Sequence, residues 1–158
     1  MPELPEVEVT RLGLQPLLNL SIVRVVIRNY SLRWPINSAL PKLLKNQTLL
    51  DLSRRGKYIL AKFTSGTLII HLGMSGRLCI VSFDEPLNKH DHVDIRFKEN
   101  NLILRYRDPR RFGSILWTEK DPYNHKLIKN LGPEPLNSEF DAKYLLSRLK
   151  NKTQCIKN

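Results

Sequence analysis

The sequence predicts an α+β fold in which an N-terminal helix is followed by a two-layer antiparallel β-sandwich and a short C-terminal helix. Three observations carry this. Apolar residues near the N-terminus recur at helical spacing, eight short β-rich runs follow with turn residues between almost all of them, and an amphipathic segment comes after a Gly/Pro-rich connector.

In chain order, Leu4, Val7, Leu14 and Leu18 predict one helix over residues 4–19, interrupted by Gly13 and closed by Pro16 and Asn19. Strands are predicted at 22–29, 49–53, 58–63, 67–72, 77–83, 93–98, 102–106 and 114–118. A short helix fits 40–45, and Glu99-Asn100-Asn101 reads as a hairpin turn because asparagine tolerates positive φ. Leu131-Gly132-Pro133-Glu134-Pro135-Leu136 can be neither helix nor central strand, so it is a stiff connector. A second helix is expected over 138–150, with Ser138 and Asp141 near its start and Phe140, Tyr144, Leu145 and Leu149 along one side. The sequence stops a few residues later at Ile156-Lys157-Asn158 and reads as cut short.

The 158 residues suffice for one domain with a real core, and 41% hydrophobic content agrees. With 26 Lys and Arg against 15 acids, the net charge of +11 points to a polyanionic partner, most simply nucleic acid. No run of eighteen apolar residues is present and the N-terminus is acidic, so no membrane partner and a cytoplasmic, nucleoid-associated location are expected. Cys79 and Cys155 lack any CxxC or Cys/His pattern, which argues for two ordinary thiols and no metal site.

Several clusters could carry chemistry. Removing Met1 would expose the secondary amine of Pro2, and α-amino groups titrate at roughly 7.7–8.0, so a neutral, nucleophilic fraction exists near neutrality. Glu3 and Glu6 stand beside it and could move protons at a reacting sugar, or could simply favour the positive end of a helix that Pro2 and Pro5 begin. Arg54-Arg55-Gly56-Lys57 is either a phosphate-binding turn or a solvated basic one. Met74 sits between glycines at a loop tip, as a wedge entering a duplex would, or as part of an ordinary hairpin. Arg105 to Gly113 packs four arginines and two aromatics into nine residues, a pattern suited to phosphates, base edges and stacking. His90 and His92 are expected on one strand face with Asp91 and Asp94 on the other, as strand-edge polar residues.

Six ordered motifs, Pro2-Glu3-Leu4-Pro5-Glu6, Arg55-Gly56-Lys57-Tyr58, His71 to Gly76, Lys89 to Asp94, Asp108 to Gly113 and Leu131 to Leu136, closely resemble bacterial formamidopyrimidine-DNA glycosylases across nearly the whole chain. Leu4, where the related endonuclease VIII group usually has glycine, favours the branch acting on oxidised purines such as 8-oxoguanine and formamidopyrimidines. The resemblance implies base-excision repair of double-stranded DNA. Pro2 would attack C1′, expel the base and form a Schiff base, with Glu3 managing protons, Glu6 supporting and Lys57 assisting β-elimination. It also implies that Met74, Arg110 and Phe112 fill the void left by a flipped nucleotide, and that His90, Arg111 and Lys152 grip phosphates.

The family continues into a helix-two-turn-helix and four-cysteine zinc-finger domain, whose ligands are absent from this sequence, so no cofactor is expected in this chain. Residues 1–136 are expected to form the catalytic domain and 137–158 a linker helix opening the second domain. The apolar side of that helix could self-associate. A non-catalytic DNA-binding remnant is the competing expectation, and a β-barrel binding single-stranded RNA would explain the charge but not the amine and carboxylates at the start.

Overall fold

The computed structural model describes residues 1–155; the terminal Ile156-Lys157-Asn158, on which the reading of a cut-short sequence rests, lies outside them. Helix α1 spans Leu4–Gly13 and a 3-10 turn Gln15–Leu17 follows it. The single helix expected to residue 19 therefore ends early. Pro16 cannot donate to the carbonyl four residues back and its ring crowds that turn, so the chain tightens before leaving through Asn19 at φ 65°. Val7, Leu14 and Leu17 are the residues this segment buries.

The remaining elements are β1 Ile22–Ile27, α2 Leu40–Leu44, β2 Leu49–Arg55, β3 Tyr58–Phe63, β4 Thr67–His71, β5 Arg77–Ser82, β6 Asp91–Phe97, β7 Leu102–Arg107, β8 Ser114–Thr118, a 3-10 turn Pro122–Asn124 and α3 Ala142–Leu149. They form two four-stranded antiparallel sheets, ordered β1-β6-β7-β5 and β2-β3-β4-β8. One core fills the space between the sheets, drawing on Ile22, Leu49, Ile59, Phe63, Leu68, Ile70, Ile95, Phe97, Tyr106 and Ile115. The predicted two-layer sandwich is what forms. Asn100 and Asn101 both adopt positive φ in the β6–β7 turn, as their selection there predicted.

The second sheet is covered on both faces. Leu60 and Ile69 point away from the main core and pack under Ile128 with Leu116 and Leu131. This explains why β4 reads as a continuous apolar run and not an alternating one. The covering segment leads into the Leu131–Leu136 connector and then α3. Asp141, not Ser138, caps α3: its Oδ1 accepts from the Tyr144 N–H at 2.7 Å. Leu146 and Leu136 remain 69% and 96% exposed, so the apolar residues of this end are not absorbed by the sandwich. Among the described residues, no helix is long and apolar enough to cross a membrane.

Candidate active site and nucleic-acid interface

Glu3 occupies the N-cap of α1 and Glu6 its third position, in a capping-box arrangement in which the Glu6 carboxylate accepts from the Glu3 N–H at 3.0 Å. This fixes the direction in which residues 1–2 leave the helix. The turn between β2 and β3 opens with Gly56 at φ 56° and delivers Lys57, whose Nζ stands 2.8 Å from Glu3 Oε2. Pro2, Glu3, Glu6 and Lys57 are thus brought together although Glu3 and Lys57 are 54 residues apart in sequence. The Pro2 nitrogen is an amide to the exposed Met1. Pro2, Glu6, Met74, Arg77, Cys79 and Arg107 line one groove of about 1010 Å³, so the chain start and the Met74 loop open onto the same space.

His71, quoted above only as part of a motif, belongs to this site. It ends β4 opposite Tyr58, its ring centroid 4.8 Å from the Tyr58 ring. The Gly73 N–H donates to its Nδ1 at 3.0 Å, which leaves Nε2 to carry the proton of the neutral ring. Burial first, then the charges of Arg33 and Lys57, hold its pKa below the ordinary histidine value. A histidine whose polar role depends on a partner two residues on and a lysine fourteen residues back gives no local sequence signal.

The basic turn divides by function. Arg54 and Arg55 are not free for phosphate: Glu134 accepts from Arg54 Nη1 at 2.7 Å, Arg55 Nη1 at 2.9 Å and the Gly56 N–H at 2.6 Å. Arg55 Nη2 also donates to the Leu131 and Gly132 carbonyls, and Arg54 Nε to Glu8 Oε2. Burial would raise the Glu134 pKa, but the Gly56 amide and the two guanidinium groups outweigh it and hold it low. The connector is therefore pinned to the turn that presents Lys57, which sequence spacing could not reveal.

The Met74 loop and the Arg110–Phe112 loop are locked to each other through Asp108, which is fully buried. Its carboxylate accepts from Ser75 Oγ at 2.6 Å, Tyr106 OH at 3.0 Å and the Gly113 N–H at 2.9 Å, while the Arg110 N–H donates to Ser75 Oγ. Burial is the main reason the Tyr106 phenol is pushed far above its ordinary range, with the Asp108 charge adding to it. The loops meet backbone to backbone: a Cβ on Gly73, at φ 61°, would lie 2.4 Å from the Phe112 carbonyl carbon. Met74 and Phe112 stay exposed at 40% and 46%, and the Arg110 guanidinium lies 5.0 Å from the Phe112 ring centroid. Arg111, exposed at φ 59°, points the chain back into β8. Asp108→Asn removes the charge but keeps the shape. It is expected to cost about 1–3 kcal/mol, the usual penalty for a weakened buried hydrogen-bond hub, read as a lower urea midpoint with faster amide exchange at Gly73 to Gly76. Unchanged stability and exchange would show that the hub is not what orders the loops.

The placement of His92, Asp91 and Asp94 corrects the strand-edge expectation. Strand β6 is an inner strand, and a register shift between Asp91 and Val93 breaks simple alternation. His92 is buried with Nε2 2.8 Å from the Asp108 carbonyl, Asp91 pairs with Arg107 Nε at 2.6 Å, and Asp94 pairs with Arg105 Nε at 2.9 Å and Arg28 Nη2 at 2.6 Å. Half of the arginine-rich run is therefore interior: Arg105 and Tyr106 hold the sheet together, while Arg110, Arg111 and Phe112 form the exposed tip. His90 is half-buried just before β6, and its carbonyl accepts from the Asp108 N–H at 3.1 Å, which seats it beside the Arg110–Phe112 loop. Lys152 lies on the exposed stretch after α3, and no hydrogen bond or ion pair among the described residues joins its side chain to the other candidates. Cys79 and Cys155 are free and exposed, and among the described residues no group of three His, Cys, Asp or Glu side chains could hold a metal ion.

The sequence profile of the formamidopyrimidine-DNA glycosylase N-terminal domain matches residues 1–115, most of the chain. The chain belongs to the formamidopyrimidine-DNA glycosylase family. The Methylobacillus flagellatus formamidopyrimidine-DNA glycosylase is 51% identical over 157 residues, covering 99% of this chain and 56% of its own length. That of Saccharophagus degradans is 52% identical over 158 residues, with 99% and 58% covered. The chain thus spans little more than half the length of these relatives. The fold agrees: the Lactococcus lactis glycosylase in complex with DNA containing an abasic site superposes with a TM-score of 0.87 at 33% identity, over 99% of this chain and 59% of that one. A second Lactococcus structure holds Fapy-dG-containing DNA, with a TM-score of 0.87 at 34% identity, over 99% of this chain and 58% of that one.

Proposed function

We propose that residues 1–136 are the catalytic domain of a DNA glycosylase with AP lyase activity on oxidised purines in double-stranded DNA, and that residues 137–158 begin the link to a second domain. The observation that carries this reading is the Lys57–Glu3 contact at 2.8 Å beside Pro2, on a groove shared with Met74. Once Met1 is removed, the Pro2 nitrogen attacks C1′ of the damaged nucleotide and the N-glycosidic bond breaks, its electron pair leaving with the base. Glu3 exchanges protons at the sugar as its ring opens and the nitrogen becomes an iminium. That iminium acidifies the neighbouring C2′–H, and loss of this proton expels the 3′-phosphate; Lys57 stands where it can assist. One amine supplies both steps.

Extruding a nucleotide costs a few kcal/mol of stacking. In this reading Met74, Phe112 and Arg110 offset it; that they are exposed at the tips of loops that Asp108 orders supports the role. His90, Arg111 and Lys152 supply phosphate contacts in this reading, with the net charge of +11 behind them. The test is borohydride trapping of the Met1-free chain on a low-salt duplex carrying an abasic site or 8-oxoguanine opposite cytosine. A covalent adduct is expected. No adduct from a chain shown to be folded would overturn the enzyme reading and leave a DNA-binding module.

A further inference from the structure

The outer end of the first sheet carries a cluster that the proposed activity does not use. Arg24 of β1 stands directly opposite Arg96 of β6, with Lys98 two residues on. Like charges facing across a ladder destabilise it. Yet none of the three cations has an ion pair among the described residues. The acids close by are otherwise engaged: Asp94 pairs with Arg28 and Arg105, Glu99 accepts from the Ser21 N–H at 2.9 Å, and the Asp84 carboxylate is held by Ser82. The contrast with Arg28, Arg105 and Arg107, each neutralised by a buried aspartate of the same sheet, marks the Arg24–Arg96 pair as unusual.

An aromatic platform completes the cluster. The Arg96 guanidinium carbon lies 4.8 Å from the Phe83 ring centroid, and Phe83 is still 61% exposed, so one ring face is covered by the cation and the other is open. Arg96 Nε is buried with no hydrogen-bond partner. Arg24, Phe83, Arg96 and Lys98 line a cavity of about 340 Å³ together with Val23 and Leu102. That is near the lower end of ligand-pocket sizes, roughly 300–1,000 Å³, and suits one phosphate-bearing ring, not a duplex. Along β6 the site is roughly 20 Å from the Asp91 end, where the wedge loops lie.

We propose that this cavity is a second nucleotide site, in which a phosphate sits between Arg24 and Arg96 and the attached base stacks on the open face of Phe83. The phosphate relieves the like-charge pair and the ring gains an aromatic partner, a combination seen wherever unpaired nucleotides are bound without base-edge readout. A free nucleotide and an unpaired nucleotide of a single strand present the same chemistry.

The experiment is a ¹⁵N-correlation NMR titration of the full chain with dAMP, inorganic phosphate and a six-nucleotide oligo-dA. Expected are dAMP shifts at residues 23–24, 83 and 96–103, with none at Met74 or Phe112. Phe83→Ser and Arg24→Glu should each weaken dAMP binding at least about tenfold, the scale of one lost stacking or charged partner, with trapping on abasic DNA unchanged. Arg24→Glu should keep the fold, because a carboxylate opposite Arg96 pairs with it. Tighter binding of oligo-dA than of dAMP at these residues identifies a single strand as the source; equal binding identifies the free nucleotide. Shifts confined to the wedge loops, or phosphate binding as tightly as dAMP, would overturn the proposal. Because trapping reports separately on Pro2, failure here leaves the glycosylase reading untouched.

Discussion

An N-terminal extension ahead of Met1 is expected to lower borohydride-trapped adduct by at least about a hundredfold, the low end of what a positioned catalytic group contributes, and cleavage that leaves Pro2 first should restore it. The nitrogen is the reason. As an amide its lone pair is delocalised into the carbonyl and cannot attack carbon. As a free secondary amine it is basic enough to be nucleophilic, yet α-amino groups titrate at roughly 7.7–8.0 against about 10.4 for a lysine side chain, so the deprotonated fraction is useful near neutrality. The competing amine is Lys57, but its Nζ is held by Glu3 at 2.8 Å. An extended chain that traps as well as the processed one would move the nucleophile to Lys57 and sink the assignment of Pro2. The extension also tests position: the Glu3 N–H is tied to Glu6 whatever precedes Pro2, so the helix start should survive and the loss should be chemical, not structural.

What the sequence disclosed followed its range of interaction. The sandwich was legible because strand periodicity and turn residues are local, and both sheets assemble from such runs. That Pro2, Glu3 and Glu6 lie together was legible because they are near neighbours in sequence at the start of α1, Glu3 as its N-cap and Glu6 at its third position. The early end of α1 at Gly13 was missed because the apolar spacing continues through Leu14 and Leu18, which still pack on the core although the helix has tightened into a 3-10 turn. Arg55 and Glu134 are 79 residues apart, so no pattern could show that the basic turn is neutralised from the connector. Polar residues in β6 suggested an edge strand, since a carboxylate in a central strand is costly unless a partner comes from elsewhere. Here the partners come from β7 and the end of β1, and only the folded register supplies them. Asp108 likewise reads as a turn former; two of its hydrogen bonds come from Tyr106 and Gly113 close in sequence, and the third depends on Ser75 arriving from another loop.

Asp94→Ala is expected to cost about 3–5 kcal/mol of stability, the usual result of removing one partner from a buried ion pair. Asp94 is fully buried and Arg105 is 4% exposed, so losing the carboxylate leaves a guanidinium that water barely reaches with only Asp91, 3.6 Å from its Nη1 and already paired with Arg107, as a charged partner. Arg28 loses its partner too, but lies nearer the surface and should resolvate. Urea unfolding measures the change; a loss under about 1 kcal/mol would mean that Arg105 finds another acceptor. The Pro86 carbonyl, 3.1 Å from its Nη1, is already in use and is uncharged. Asp94→Leu combined with Arg105→Met should recover part of the loss, because an apolar pair avoids desolvating either charge. Acid offers an independent check. Burial alone would raise the Asp94 pKa, but hydrogen bonds and charge from Arg105 and Arg28 outweigh it, and Asp91 is lowered in the same way by Arg107. Groups with depressed folded pKa contribute stability above the unfolded value, near 3.9 for aspartate, and lose it as pH falls through the lower folded values. Stability of the parent should therefore fall steeply below about pH 4, and Asp94→Ala should show a shallower fall over the same window because one of the responsible protonations has been removed.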